Sequence, residues 1–440
     1  MKIKTTLFTT LTAGLAIAFT GCSDSTPEST SSSNGARVSA VPNSFAAVTD
    51  KLDKDGDVFL YYSTEEVVST ADQYINAIGS ELTQGFQTMP AEQAMIDSGM
   101  KVGQTIFDQS GIKDISGIGM SSIEFEPDMF RYKVAIHHEE SKSDGKIWSI
   151  LGSNKPRELE LLKLMPADTA LAVSHEVNIK ELFTWMPELA NATDNPEIKE
   201  QVKMAMAMAG LMLKTPTSLE SLGNQFSLFI TLDSNEKTYL SADLGGEIPN
   251  PGLALVIKVK DSTVPDMISQ ALVAQGAPME EQTINGTKSL VFTEASPFPF
   301  PVSPTMFNLD NHFILASSTE LAKKIITTHQ GNEPGLTSTE EYKRMAKGLN
   351  TEANHLLYVS KRFGESLGPV IKSAIESAGD LSSAIPIDTN NLPFDISHLN
   401  LNEIINFQIL AFIKNNEDGI MIQLQSYKEA TTVALQSKGF

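Results

Sequence analysis

Three short apolar runs set the rhythm of the chain: Val58-Phe59-Leu60-Tyr61-Tyr62-Ser63, Ala170-Leu171-Ala172-Val173-Ser174 and Leu356-Leu357-Tyr358-Val359-Ser360, each closing on serine. Their length and their β-branched and aromatic content predict strands. Behind each, the apolar spacing becomes helical: Val67, Ala71, Tyr74, Ile75, Ile78 and Leu82; then Ile179, Leu182, Phe183 and Met186; then Phe363, Leu367, Val370, Ile371 and Ile375. Ser63 with Glu66 and Asn178 with Glu181 have the spacing of capping boxes, so these helices should start there. Further on, the spacing drops to two. Ile123 to Phe125 with Phe130 to Ile136, Phe226 to Leu232 with Leu253 to Val259, and Ile405 to Ile413 with Ile420 to Leu424 predict antiparallel hairpins, the last turning at Asn415-Asn416-Glu417-Asp418-Gly419. Alternation such as Phe130-Arg131-Tyr132-Lys133-Val134 predicts one buried and one wet face.

The expected class is therefore α+β: a strand-helix-hairpin module repeated three times, forming curved antiparallel sheets with helices on one face. The modules should span residues 39–155, 156–345 and 346–440. The middle one is longest and adds a helix from Pro265 to Gln275, strands at Ser289 to Phe292 and His312 to Ala316, and a helix from Thr319 to Thr327 capped by Ser317 with Glu320.

The amino-terminal pattern is different. Lys2 and Lys4 precede an apolar stretch from Leu7 to Phe19, rich in Leu, Ala and Thr, too short for a permanent bilayer-spanning helix but suited to a secretory signal over residues 1–21. Residues 22–38 open with the Ser/Thr-rich run SDSTPESTSSSN, which offers almost nothing to bury and is expected to be a flexible spacer. Cys22 is the single cysteine, so neither an internal disulfide nor a multi-thiolate metal site can form. The formal charge of −21 repels phosphate backbones, so nucleic acid is not an expected partner.

Phe19-Thr20-Gly21-Cys22 resembles the bacterial lipobox, although Phe19 stands where an aliphatic residue is usual. The resemblance implies a bacterial lipoprotein: Cys22 lipidated and first in the mature chain, the membrane engaged through that N-terminal lipid, and, with Ser23 beside the cysteine, sorting to the outer membrane. Met165-Pro166-Ala167-Asp168-Thr169 entering one strand and helix, and Phe313-Ile314-Leu315-Ala316-Ser317-Ser318 entering a second helix, are similar to an uncharacterised bacterial family of repeated extracytoplasmic α+β domains. That family implies a fold and no chemistry.

Motifs for catalysis are missing: the sequence holds no G-x-x-x-x-G-K-[ST], no H-E-x-x-H and no G-x-S-x-G. Gly117-Ile118-Gly119 reads as a strand-entry turn. His137-His138-Glu139-Glu140 cannot share one ion, because adjacent strand residues point to opposite faces. Asp53-Lys54-Asp55-Gly56-Asp57 resembles a calcium loop, but Val58 and Thr64 stand where such a loop needs Gly and Glu, which predicts a polar turn. No cofactor or metal is expected. Met204, Met208 and Met212 share one face of a predicted helix and either pack a core or form an adaptable apolar groove. The Pro297-Phe298-Pro299-Phe300-Pro301 run should be an extended loop. Together these features predict a non-enzymatic, lipid-anchored extracytoplasmic binding or scaffold protein, with a carrier of an apolar ligand as the alternative and a hydrolase behind both. Its partner would be a protein or an apolar ligand.

Overall fold

The computed structural model describes residues 44–65, 68, 70, 90–139, 145–193, 195–196, 199–200, 203–204, 216–239, 247–293, 303–368 and 407–428. After α1 (Phe45–Thr49) comes strand β1 (Val58–Ser63), then α2 (Pro90–Ser110), β2 (Ile115–Glu126), β3 (Met129–His138) and α3 (Lys146–Ile150). The middle part holds β4 (Thr169–Glu176), α4 (Ile179–Asn191), α5 (Pro216–Ser221), β5 (Leu222–Tyr239), β6 (Glu247–Val259), α6 (Thr263–Ala274), β7 (Met279–Ile284), β8 (Thr287–Phe292), β9 (Thr305–Leu309), β10 (His312–Ala316), α7 (Thr319–His329) and α8 (Glu340–Ala346). Last come β11 (His355–Val359), helical residues 361–368, β12 (Phe407–Asn416) and β13 (Gly419–Lys428).

All thirteen strands join one sheet, in the order β1-β2-β3-β13-β12-β11-β4-β5-β6-β10-β9-β8-β7. Among the described residues these strands pair antiparallel throughout, as the hairpin pattern requires. In place of the several sheets expected, there is one. Three times the chain runs strand, helix, hairpin, and each time its three strands are neighbours. The last such set, β11 to β13, lies between the first two, with β13 on β3 and β11 on β4.

Tight turns fix the hairpin registers. Asn285 and Gly286 both have positive φ, the backbone twist that suits a two-residue turn between β7 and β8. Gly419, at φ 131°, closes β12 onto β13 where a Cβ would sit 2.0 Å from the Ile136 carbonyl oxygen. The Gly117-Ile118-Gly119 segment is no turn but the interior of β2. A Cβ on Gly119 would stand 2.3 Å from Val48 Cγ1 and 2.8 Å from Leu52 Cδ1, so the glycine lets α1 and its trailing turn lie directly on the strand.

The two faces carry different cores. On the front face Leu410, Tyr358, Ala172, Phe229, Ala254 and Ala316 follow one another in register, under Leu321, Ile325 and Ile326 of α7, Met345 of α8, and the short 3-10 segments Glu160–Leu164 and Leu336–Ser338. Phe313, Leu315 and Met306 point the other way and meet Ile268 and Leu272 of α6. Helices α6 and α7 therefore cover opposite faces of the same strands, and the expectation of helices on one face is not met at this end. The physical reason lies in β10, His312-Phe313-Ile314-Leu315-Ala316, which is apolar at successive positions and so needs cover on both sides.

Helix entrances follow the expected chemistry with shifts of one residue. Asn178 Oδ1 accepts from the Glu181 amide at 3.4 Å, and Ser360 Oγ from the Phe363 amide at 3.2 Å. Ser63 ends β1, and Thr64 follows it at the entrance. Ser318, not Ser317, caps α7 by accepting from the Leu321 amide; Ser317 Oγ accepts from the Leu253 amide and ties the helix to β6. Ser174 lies two residues before the end of β4, paired with Ser227 Oγ at 2.9 Å, so it is offset from Ser63 and Ser360.

Candidate binding surface

Residues directly opposite each other in antiparallel strands share a face, so register traces a surface. On the reverse face one line passes from Leu424 on β13 through Ala411, Leu357, Val173 and Leu228 to Leu255 on β6, and runs on through Leu315, Met306 and Leu290 beneath α6. A second line, Ile409, Val359, Leu171, Ile230 and Leu253, lies beside it. Where α6 covers it, Met306 and Phe313 are buried. Toward the centre the cover thins: Leu228 is 36% exposed, Leu255 37% and Leu253 46%. Large aliphatic side chains contiguous in two rows and left this accessible form an apolar surface of the kind that engages a partner or ligand.

A polar seam of His175, His355 and Asn415 interrupts this face at the ends of β4, β11 and β12, with Glu176 beside it on the front face. Glu176 is almost wholly buried, accepts from Asn354 Nδ2 at 2.9 Å and pairs with Arg157 at 3.0 Å. His355 and His175 meet through their Nδ1 atoms at 3.3 Å, and Asn415 Nδ2 reaches both His355 Nε2, at 3.3 Å, and the Leu151 carbonyl oxygen, at 2.6 Å. The Glu176 backbone amide donates to His355 Nδ1 at 3.3 Å, so that ring nitrogen is an acceptor. Burial, with His175 close by, lowers the His355 pKa to about 4; burial also lowers that of His175. The seam is chemically a lock between β4 and β11, and it has no nucleophile.

Of the residues singled out from sequence, Cys22, Met208 and Met212 lie outside the described residues, as do the signal, the spacer, the whole first helical stripe, Val370, Ile371 and Ile375 of the third, and residues 297–301. Met204 is helical and 57% exposed. His138 stacks on Trp148 with ring centroids 4.3 Å apart, while His137 Nδ1 contacts the Asp418 carbonyl oxygen at 2.8 Å, so the two imidazoles do separate things. Asp53 takes Arg131 at 2.9 Å and Lys133 at 2.8 Å. Burial pushes its pKa up, but those two hydrogen-bonded cations outweigh burial and hold it below the usual carboxylate range. Among the described residues no group of three or more His, Cys, Asp or Glu could hold a metal ion, and no helix is long and apolar enough to cross a membrane.

The reverse face was not singled out from sequence. Its signal was present in the unbroken runs Leu171-Ala172-Val173, Leu228-Phe229-Ile230 and Leu253-Ala254-Leu255-Val256, which are apolar on both sides of the strand. Compared with protein-family models, curated proteins and solved structures, the chain matches none.

Proposed function

We propose that this chain is a lipid-anchored extracytoplasmic binding protein, held at the outer membrane through Cys22, and that the reverse face of its sheet is the surface it works with. The observation that carries the reading is the register-matched apolar surface across β13, β12, β11, β4, β5 and β6, with Leu228, Leu253 and Leu255 more than a third exposed. We further propose that the three strand-helix-hairpin sets are one module used three times, a design that extends a sheet surface without new folding rules. The same face supports the second reading, a carrier of an apolar ligand, because aliphatic rows bind lipid-like molecules as readily as an apolar protein segment.

The Cys22→Ser protein should be recovered without membranes, since no other sequence segment is long and apolar enough to hold one. In that soluble form, an environment-sensitive apolar dye should bind, and Leu228→Gln with Leu255→Gln should reduce binding at least fivefold at an unchanged melting temperature. Persistence of the Cys22→Ser protein in salt-washed membranes would overturn the anchor. Undiminished dye binding by the double variant would overturn the surface. Mass spectrometry of molecules copurifying with the soluble form then separates the two readings, a lipid supporting the carrier.

A further inference from the structure

Strand β1 ends the order of the sheet, with β2 on one side and no strand among the described residues on the other. Register fixes which backbone groups that leaves open. The Thr64 amide donates to the Ser116 carbonyl oxygen at 3.3 Å, and the pairs in step with it, Tyr62 with Ile118 and Leu60 with Met120, share the bonds to β2. Phe59, Tyr61 and Ser63 alternate with them, so their N–H and C=O groups point outward in a row, the geometry onto which a further strand adds. The strand is held in place from the front face, where Tyr61 Oη and Ser44 Oγ lie 2.9 Å apart and the Phe45 ring meets Tyr61 edge-on. Its side chains are apolar on both faces, with Val58, Phe59 and Leu60 exposed, Leu60 by 54%.

Charges at the two ends decide what the added strand can be. No residue of β1 is charged, but exposed Asp55 and Asp57 precede it and exposed Glu65 follows it, and among the described residues none of the three is in an ion pair. The Lys54 ammonium beside them is taken by Asp50 at 3.0 Å. A second copy pairing antiparallel on this edge would set the Asp57 end of each strand against the Glu65 end of the other, carboxylate facing carboxylate at both ends, in chains of formal charge −21. A strand with a cation at each end meets attraction where a second copy meets repulsion. We propose that the β1 edge binds an extended apolar segment of another protein by strand addition, the segment carrying Lys or Arg about eight positions apart to answer Asp57 and Glu65. Backbone hydrogen bonds supply the affinity and the flanking cations choose the partner, so this site works apart from the central apolar rows of the reverse face.

Fluorescence anisotropy of end-capped, dye-labelled peptides titrated with the full chain tests the site. KTVTVTVTK should bind saturably, whereas ETVTVTVTE, with the charges reversed, and KTVTPTVTK, with a backbone donor removed, should bind at least tenfold more weakly. Phe59→Pro removes one outward N–H and no bond to β2, so it should weaken KTVTVTVTK at least tenfold. If Phe59→Pro fails to fold, Asp57→Lys with Glu65→Lys serves in its place and should reverse the preference between KTVTVTVTK and ETVTVTVTE. Leu228→Gln with Leu255→Gln should leave peptide affinity unchanged, which separates this edge from the face proposed above. Absence of saturable KTVTVTVTK binding, equal affinity for either control peptide, unaltered binding by the folded variant used, loss of binding in the Leu228 and Leu255 double variant, or a dimer of the full chain that the β1 variant disperses would each overturn the proposal.

Discussion

His355 shows how one side chain makes stability depend on pH. It is neutral in the fold, with a pKa lowered to about 4, while the unfolded chain would titrate near the ordinary imidazole value of about 6.5. Between those values the unfolded state binds more protons, so stability rises with pH across that window. The contribution is complete above about pH 6.5 and is lost as pH falls toward 4, at most about 3 kcal/mol. Denaturant midpoints at pH 7.5 and pH 5 should therefore differ strongly for the native chain and much less for His355→Gln, which keeps a polar group and removes the titration. An equal pH dependence in the variant would show that His355 is not the group responsible. The residue scale is also where sequence reading had least purchase: the seam joins Leu151, Glu176, His355 and Asn415, which no spacing along the chain brings together.

Among the elements, α1 depends on what is absent beneath it. Gly119 gives it a bare patch of β2, and Val48 and Leu52 fill that patch with Ala135 and Met421. Gly119→Val would push side-chain atoms into space that Val48 and Leu52 already occupy, at a cost of about 1 to 3 kcal/mol. Hydrogen exchange should then quicken in residues 45–52 while β4 to β6 remain protected; unchanged exchange in residues 45–52 would sink this account. Strands and hairpins were legible from sequence because their signals are local: period two, turn residues, and serine or asparagine at helix entrances. The glycines of β2 misled because close approach of a helix and a turn leave the same mark in a sequence. The order of strands was illegible for a related reason. Alternation says that β3 and β4 each have a buried face, but nothing in it says that β13 pairs with one and β11 with the other.

Across the whole molecule, the continuous hydrogen-bonded sheet makes the sets of strands interdependent. Urea unfolding followed by far-ultraviolet circular dichroism and by fluorescence of Trp148 and Trp185 should give coincident transitions, since both rings pack against parts of the first and middle segments that β11 to β13 join. Fluorescence changing well before dichroism would mean that the segments unfold independently. The two ends of the sheet differ in character: β7 presents Glu280, Glu281 and Gln282 to water, a charged edge that resists pairing with another chain, whereas β1 presents Val58, Phe59 and Leu60. The place of β11 to β13 also has a consequence in time. These strands follow β3 and β4 in the chain, yet they lie between them in the sheet, so β3 and β4 each keep an unpaired side until β11 to β13 dock. A chain cut before β11 loses its keystone and leaves bare edges on both β3 and β4. A chaperone or protease that recognises bare strands would therefore single out molecules in which β11 to β13 have not docked.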